Sequence, residues 1–325
     1  MKKTRSKKSK TGIIAGFLII TCTMIHAQKN YSISQKELDK YTQLNDQETR
    51  LKEYKDDKNA LLLKLNQLAH INASRQQHQK PPVQLDILAS RVANKTAQEA
   101  ARENFMGHFN LRGEKPYHRY AFAGGTAHVS ENASALSSSD LLPSTPNDIT
   151  KYMQQAHNAF MAEQAPNDGH KQNCIDTNHN YVGIGFSLHK EQFRYYEEFL
   201  DKYVTFNKTK SFYRKNETIK ISIKPDHNKY LHMILVYYEP FPTAMRISSI
   251  NKQMKYDDYT KDLVHKVLPW QLPQTNAEGI SELEFSFDKK GLYYLQIYLD
   301  NTAFTTGKAS TKNKIQASGI VIQVR

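Results

Sequence analysis

The chain has 325 residues, with 45 Lys/Arg against 32 Asp/Glu and a formal charge of +13. Six of those basic residues fall in Met1 to Lys10, which leaves +7 for the rest, and no basic run interleaved with aromatics follows, so the composition argues against a nucleic-acid partner. Cys22 and Cys174 are the only cysteines, so no disulfide framework holds the chain together.

The basic start, the apolar run Ile13 to Ile25 and the exit Ile25-His26-Ala27 have the form of an export signal over residues 1–27. The run is shorter than the roughly 20 apolar residues of a membrane span. The expectation is a secreted or extracytoplasmic protein with no membrane span after cleavage; retention as an anchor is the alternative. Thr21 before Cys22 argues against lipidation. Residues 28–57 alternate Lys, Asp, Glu and Gln and read as a polar leader or a solvated helix without a core.

Leu61, Leu62, Leu65, Leu68 and Ala69 recur at helical spacing, and this helix runs towards Arg75 before Pro81-Pro82 stops it. A second helix is predicted from Val83 to Phe105, with an alanine-rich stripe suited to close packing. Leu111 to Ala135 has no helical period and reads as an ordered loop or short strands; Ser137 to Pro143 is a serine-rich link. Thr145-Pro146-Asn147-Asp148 starts a third helix with an N-cap, a proline at the first position and an acid at the third. Its stripe, Ile149, Tyr152, Met153, Ala156 and Phe160, places Glu163 on the inward face, where a carboxylate needs a partner. His179 to Phe186 and Phe193 to Val204 form a hairpin. Beyond Val204 the period becomes two, in Ile219 to Ile223, Leu283 to Phe287, Tyr293 to Leu299 and Ile320 to Val324, which predicts an all-β, two-sheet (Ig-like) sandwich over residues 205–325.

Four polar residues carry the chemistry: His108, Glu131, Glu163 and His170. Two imidazoles and two carboxylates on one surface suit a divalent metal, with His108 and His170 as ligands, and Glu131 or Glu163 as candidate bases toward a metal-bound water. The bland alternative is two His–Glu pairs that lock loops in place. Cys174, four residues after His170, reads as a semi-buried thiol in preference to a nucleophile paired with histidine. No G-x-S-x-G, H-E-x-x-H, P-loop or G-x-G-x-x-G occurs. Gly183 and Gly185 read as strand positions that need close backbone approach. His157, His179 and His189 are expected to face solvent, and Trp270 to be either core or an exposed anchor.

The same residues resemble the CAP superfamily, the cysteine-rich secretory, antigen 5 and pathogenesis-related 1 proteins, also called SCP-like. Asn72-Ala73-Ser74-Arg75 resembles its N-x-x-R, Ser130-Glu131-Asn132 its G-E-N, Phe160-Met161-Ala162-Glu163 its W-x-x-E, and Gly169-His170-Lys171-Gln172 its G-H segment. Tyr181-Val182-Gly183-Ile184-Gly185 resembles its V-G-x-G strand, and Tyr195-Tyr196 the aromatic pair of its last strand. Ser130 stands where the family has Gly, Phe160 where it has Trp, and the family's disulfides are absent, as in bacterial members. The resemblance implies an α-β-α sandwich over residues 58–204 and an α+β protein once the β-sandwich is added. It also implies a cleft carrying the tetrad His108, Glu131, Glu163 and His170, with zinc or another divalent metal on the two histidines.

Together these features point to an exported binding module for a small apolar or envelope-derived ligand or a cell-surface protein. A metal-dependent hydrolase of peptide, ester or glycan that uses the same tetrad is the alternative, and a surface adhesive or structural protein the second.

Overall fold

A computed structural model describes residues 29–325 except 208, 209, 211, 227, 254 and 258–260. The expected export signal lies outside the described residues. Among them, no helix is long and apolar enough to cross a membrane.

The first layer system contains six helices, α1 (Gln35–Gln47), α2 (Lys58–Gln77), α3 (Ile87–Glu103), α4 (Pro116–Phe122), α5 (Pro146–Ala162) and α6 (Gly169–Cys174). They surround a sheet of β1 (Gln84–Leu85), β2 (His128–Ser137), β3 (Tyr181–His189) and β4 (Gln192–Asp201), in the order β1-β3-β4-β2. Phe193, Tyr195 and Phe199 of β4 join α1, α2 and α5 in one core, while Tyr196 and Leu200 face the α3 side. That alternation produces the α-β-α sandwich. Gly183 and Gly185 let α3 lie directly on β3. A Cβ on Gly183 would stand 2.4 Å from the Ala89 Cβ, and one on Gly185 2.2 Å from the Ala93 carbonyl carbon.

Thr145 caps α5 as expected, accepting from the Asp148 N–H. Three expectations need correction. The 28–57 segment contributes core: Leu38 and Tyr41 of α1 are buried against α2 and the sheet. The Leu111 to Ala135 stretch contains a buried helix, α4, whose residues are enclosed on several sides and so show no period. The third helix ends at Ala162, and Glu163 is its C-cap with extended backbone (ψ 147°), so its side chain leaves the helix face and reaches towards α6.

The second layer system pairs two sheets. One has the order β11 (Ile315–Val324), β10 (Gly291–Asp300), β7 (Tyr230–Glu239), β8 (Leu263–Val267); the other β5 (Val204–Phe206), β6 (Ile219–Pro225), β9 (Ser281–Phe285). Ile219, Ile221 and Ile223 meet Ile234, Val236, Leu295 and Ile297 across one core, which makes a sandwich. A short helix, α7 (Ile247–Ile250), leaves the sandwich and packs on the first domain.

The two layer systems are stitched by polar contacts. Ser318 Oγ donates to Thr126 O at 2.8 Å, and Gln316 Nε2 lies 2.9 Å from His128 Nδ1. Glu239 of β7 accepts from Tyr117 Oη, His118 Nε2 (3.1 Å) and Lys115 Nζ (3.3 Å).

Candidate functional site

The sheet carries two adjacent buried carboxylates, Glu197 and Glu198, on β4. Successive strand residues point to opposite faces, so each organises a different cluster. Their partners across the β2–β4 ladder are Asn132 and Glu131.

On the α3 side, Glu131 is the centre. Its Oε1 accepts from His108 Nδ1 at 2.9 Å, and its Oε2 from the Arg119 guanidinium. Arg119 also donates to His108 O at 2.7 Å and lies 3.7 Å from Glu198 Oε1. Among the described residues, neither Glu198 oxygen has a hydrogen-bond donor. Burial, reinforced by the Glu131 carboxylate, raises Glu198 well above the usual carboxyl range, while burial raises Glu131 against the pull of Arg119. Two buried carboxylates share one guanidinium, so a proton retained on Glu198 leaves the group neutral and gives Glu198 an O–H to donate to Glu131. Burial, and then the Arg119 charge, lowers His108 to about 4, so its ring is neutral at pH 7.

His170 on α6 is the second imidazole. Its Nδ1 lies 2.5 Å from Glu163 Oε1, and Glu163 Oε2 accepts from the His170 N–H at 2.9 Å and the Lys171 N–H at 3.4 Å. Phe160 stacks on the His170 ring at 4.9 Å. The His108 and His170 rings face one another, centroids 6.4 Å apart and tilted by 33°. Both rings are therefore held through Nδ1 by a carboxylate, which leaves Nε2 as the nitrogen each offers for ligation. All four predicted residues line one cleft of about 510 Å³, with Ser130, Asn132, Asn173, Lys255 and Tyr256. Ser130 Oγ donates to Asn173 Oδ1 at 2.6 Å, so the serine at the family's glycine position ties β2 to α6.

On the α2/α5 side, Glu197 accepts from His157 Nδ1 (2.8 Å), Tyr195 Oη (2.8 Å) and Asn132 Nδ2 (3.3 Å), with the Cys174 thiol at 3.6 Å. His157, Cys174 and Glu197 place ligand atoms within 4.8 Å of one another, the one such grouping of three among the described residues. The carboxylate is already saturated with donors, and burial followed by the Glu197 charge raises the thiol well above its ordinary value. The arrangement is a buried network in which His157 Nε2 alone lacks a hydrogen-bond partner among the described residues, and Cys174 is fully enclosed and separate from the cleft. His157 and His179, expected at the surface, are buried against Glu197 and Asp201 (2.6 Å); His189 is exposed. His157 lies three residues before Phe160, on the α5 stripe, which was the readable signal. Arg119, Glu198 and Tyr256 were not singled out in the sequence. Trp270 is exposed on the sandwich.

Residues 68–207 match the model of the cysteine-rich secretory protein family (CAP). No curated protein sequence matches the chain. Among solved structures, an outer surface protein from Borrelia burgdorferi is similar at 15% identity and TM-score 0.32, over 53% of this chain and 98% of its own. An extracellular protein containing a SCP domain from Bacillus anthracis is similar at 16% identity and TM-score 0.31, over 53% and 45%. A superoxide reductase from Ignicoccus hospitalis is similar at 9% identity and TM-score 0.21, over 38% and 81%.

Proposed function

Since the chain carries a CAP domain of the cysteine-rich secretory protein family at residues 68–207, we propose that it is an exported binding module whose cleft takes up a divalent cation between His108 and His170. The observation that carries this reading is the pair of carboxylate-held histidines facing each other at 6.4 Å. Glu131 and Glu163 act as orienting groups: each fixes a ring and keeps the proton on Nδ1, so Nε2 presents its lone pair. Among the described residues the donor set is two nitrogens without a third protein ligand, which suits zinc or a similar borderline cation completed by solvent or by the bound partner. When bound, such an ion supplies an exchangeable Lewis-acidic position. Ser130 and Asn173 give the cleft polar anchors, and Tyr256 and Pro166 give it an apolar side, so a small amphipathic or envelope-derived ligand fits its chemistry.

Hydrolysis by the same tetrad is less well supported. A base needs an accessible free oxygen, and both Glu131 oxygens are engaged in the interior. Glu163 is the more accessible carboxylate, and its oxygens are engaged by His170 and two backbone N–H groups.

Zinc titration by calorimetry, on wild type and on a His108→Ala/His170→Ala variant, tests the proposal. One zinc per chain, lost in the variant, is expected. Equal binding by both proteins, or none by the folded wild type, contradicts it.

A further inference from the structure

Tyr256 belongs to the C-terminal half of the chain, yet it forms a wall of the tetrad cleft. Its ring lies 4.9 Å from the His108 ring, tilted by 53°, and its hydroxyl accepts the Glu131 N–H at 3.0 Å. The segment that carries it is pinned to the CAP domain at several points. The Met245 N–H donates to Leu111 O at 2.9 Å, and Asn251 Oδ1 accepts the Met106 N–H at 2.9 Å. Ile250 is fully buried among Phe105, Phe109 and Tyr196. Gly107, immediately before His108, has φ 145°, and a Cβ there would stand 3.3 Å from the Ile250 carbonyl oxygen. The loop that bears His108 is thus clasped by the other domain.

One hydrogen bond to Glu131 fixes the position of His108 Nδ1 but leaves the ring free to tilt about that contact. A second surface is needed to fix the plane, and the Tyr256 ring supplies it. We propose that the C-terminal domain is a working part of the cleft, with Tyr256 as a positioning residue that sets the His108 ring for whatever binds between His108 and His170. This rests on the reading of the cleft as a cation site. The full site then exists only when both domains are present and docked, and preorganisation across the seam strengthens binding.

The test uses the full chain with Co²⁺ as probe, in wild type, Tyr256→Phe and Tyr256→Ala. Affinity and the visible absorption bands are read, together with metal-free amide hydrogen exchange at Glu131. Tyr256→Phe keeps the ring, so wild-type affinity and band positions are expected, with faster exchange at Glu131. Tyr256→Ala is expected to lose about 10- to 100-fold in affinity, the usual effect of removing an orienting neighbour, and to shift the bands. Tyr256→Leu replaces it if the alanine variant does not fold. Wild-type affinity and spectrum in Tyr256→Ala overturn the proposal. If the wild type binds no Co²⁺, the cation reading falls by itself and the ¹H and ¹⁵N shifts of the His108 ring in the metal-free proteins decide the positioning role. Shifts displaced in Tyr256→Ala and kept in Tyr256→Phe then support it, and wild-type shifts in both variants overturn it.

Discussion

The group formed by Glu131, Glu198 and Arg119 makes a prediction that separates two descriptions of the cleft floor. With both carboxylates ionised, the interior holds a net negative charge; with Glu198 protonated, it is neutral. Glu198→Gln replaces a neutral acid by a neutral amide of the same shape. It is expected to destabilise the chain at pH 7 by no more than about 1 kcal/mol. Glu131→Gln removes the charged partner of a buried guanidinium, but Glu198, 3.7 Å from Arg119, can then ionise in its place. The expected loss is about 1–3 kcal/mol, that of a hydrogen bond to a charged group. The double variant leaves Arg119 uncompensated and is expected to lose about 3–5 kcal/mol. The double-mutant cycle is therefore expected to show a coupling of about 1–2 kcal/mol. The sign with pH follows from the raised Glu198 pKa: the native chain keeps a proton that the unfolded chain releases, so this contribution is full below the unfolded value and falls as pH rises. Glu198→Gln should gain on wild type as pH rises above the ordinary carboxyl value of about 4.3. Urea unfolding followed by circular dichroism measures all four corners. A Glu198→Gln loss equal to that of Glu131→Gln at pH 7 refutes the shared-proton description.

Further outcomes follow from the same packing. Gly185→Ala places a methyl 2.2 Å from the Ala93 carbonyl carbon and should destabilise by about 1–3 kcal/mol or more. Gly169→Ala, with open space around it, should stay within about 0.5 kcal/mol; a thermal melt distinguishes the two. Arg75 donates to the carbonyls of Pro81, Cys174, Asp176 and His179 from a fully buried position. Arg75→Lys cannot reproduce that fork and should lose several kcal/mol in urea unfolding, about 2–5. His108 titrates near 4 in the folded chain against 6.5 ordinarily. Its stabilising effect is therefore present above pH 6.5 and is lost as pH falls towards 4, by about 3 kcal/mol. A His108→Asn variant should show a shallower fall of melting temperature with acid.

The tetrad could be read from the sequence because each member stands in a local context of its own, and the structure brings all four to one cleft. The capped start of α5 and the period-two strands were equally readable. What escaped depends on contacts between distant segments. Glu197-Glu198 looks like a solvated pair of charges, and only the sheet's two buried faces turn it into two separate carboxylate centres. β7 escaped because Tyr230–Glu239 is a near-continuous apolar run: Ile234 and Val236 face the sandwich core, while Met233 and Leu235 pack on Tyr298, so no alternation shows. α1 has only Leu38 and Tyr41 as apolar core positions, too few to mark a buried face. Tyr256 sits outside any periodic element, and its place in the cleft depends on how the two domains dock. The C-terminal half thus supplies part of the cleft wall through the segment between α7 and β8.

In the proposed site His108 and His170 bind a cation through Nε2 while Glu131 and Glu163 hold Nδ1. Long-range ¹H–¹⁵N correlation of the histidine rings, with and without zinc, tests it most directly. Both rings should keep the Nδ1–H tautomer, with zinc perturbing Nε2 of these two alone. Perturbation at His157 instead, or unchanged Nε2 signals at saturating zinc, contradicts it.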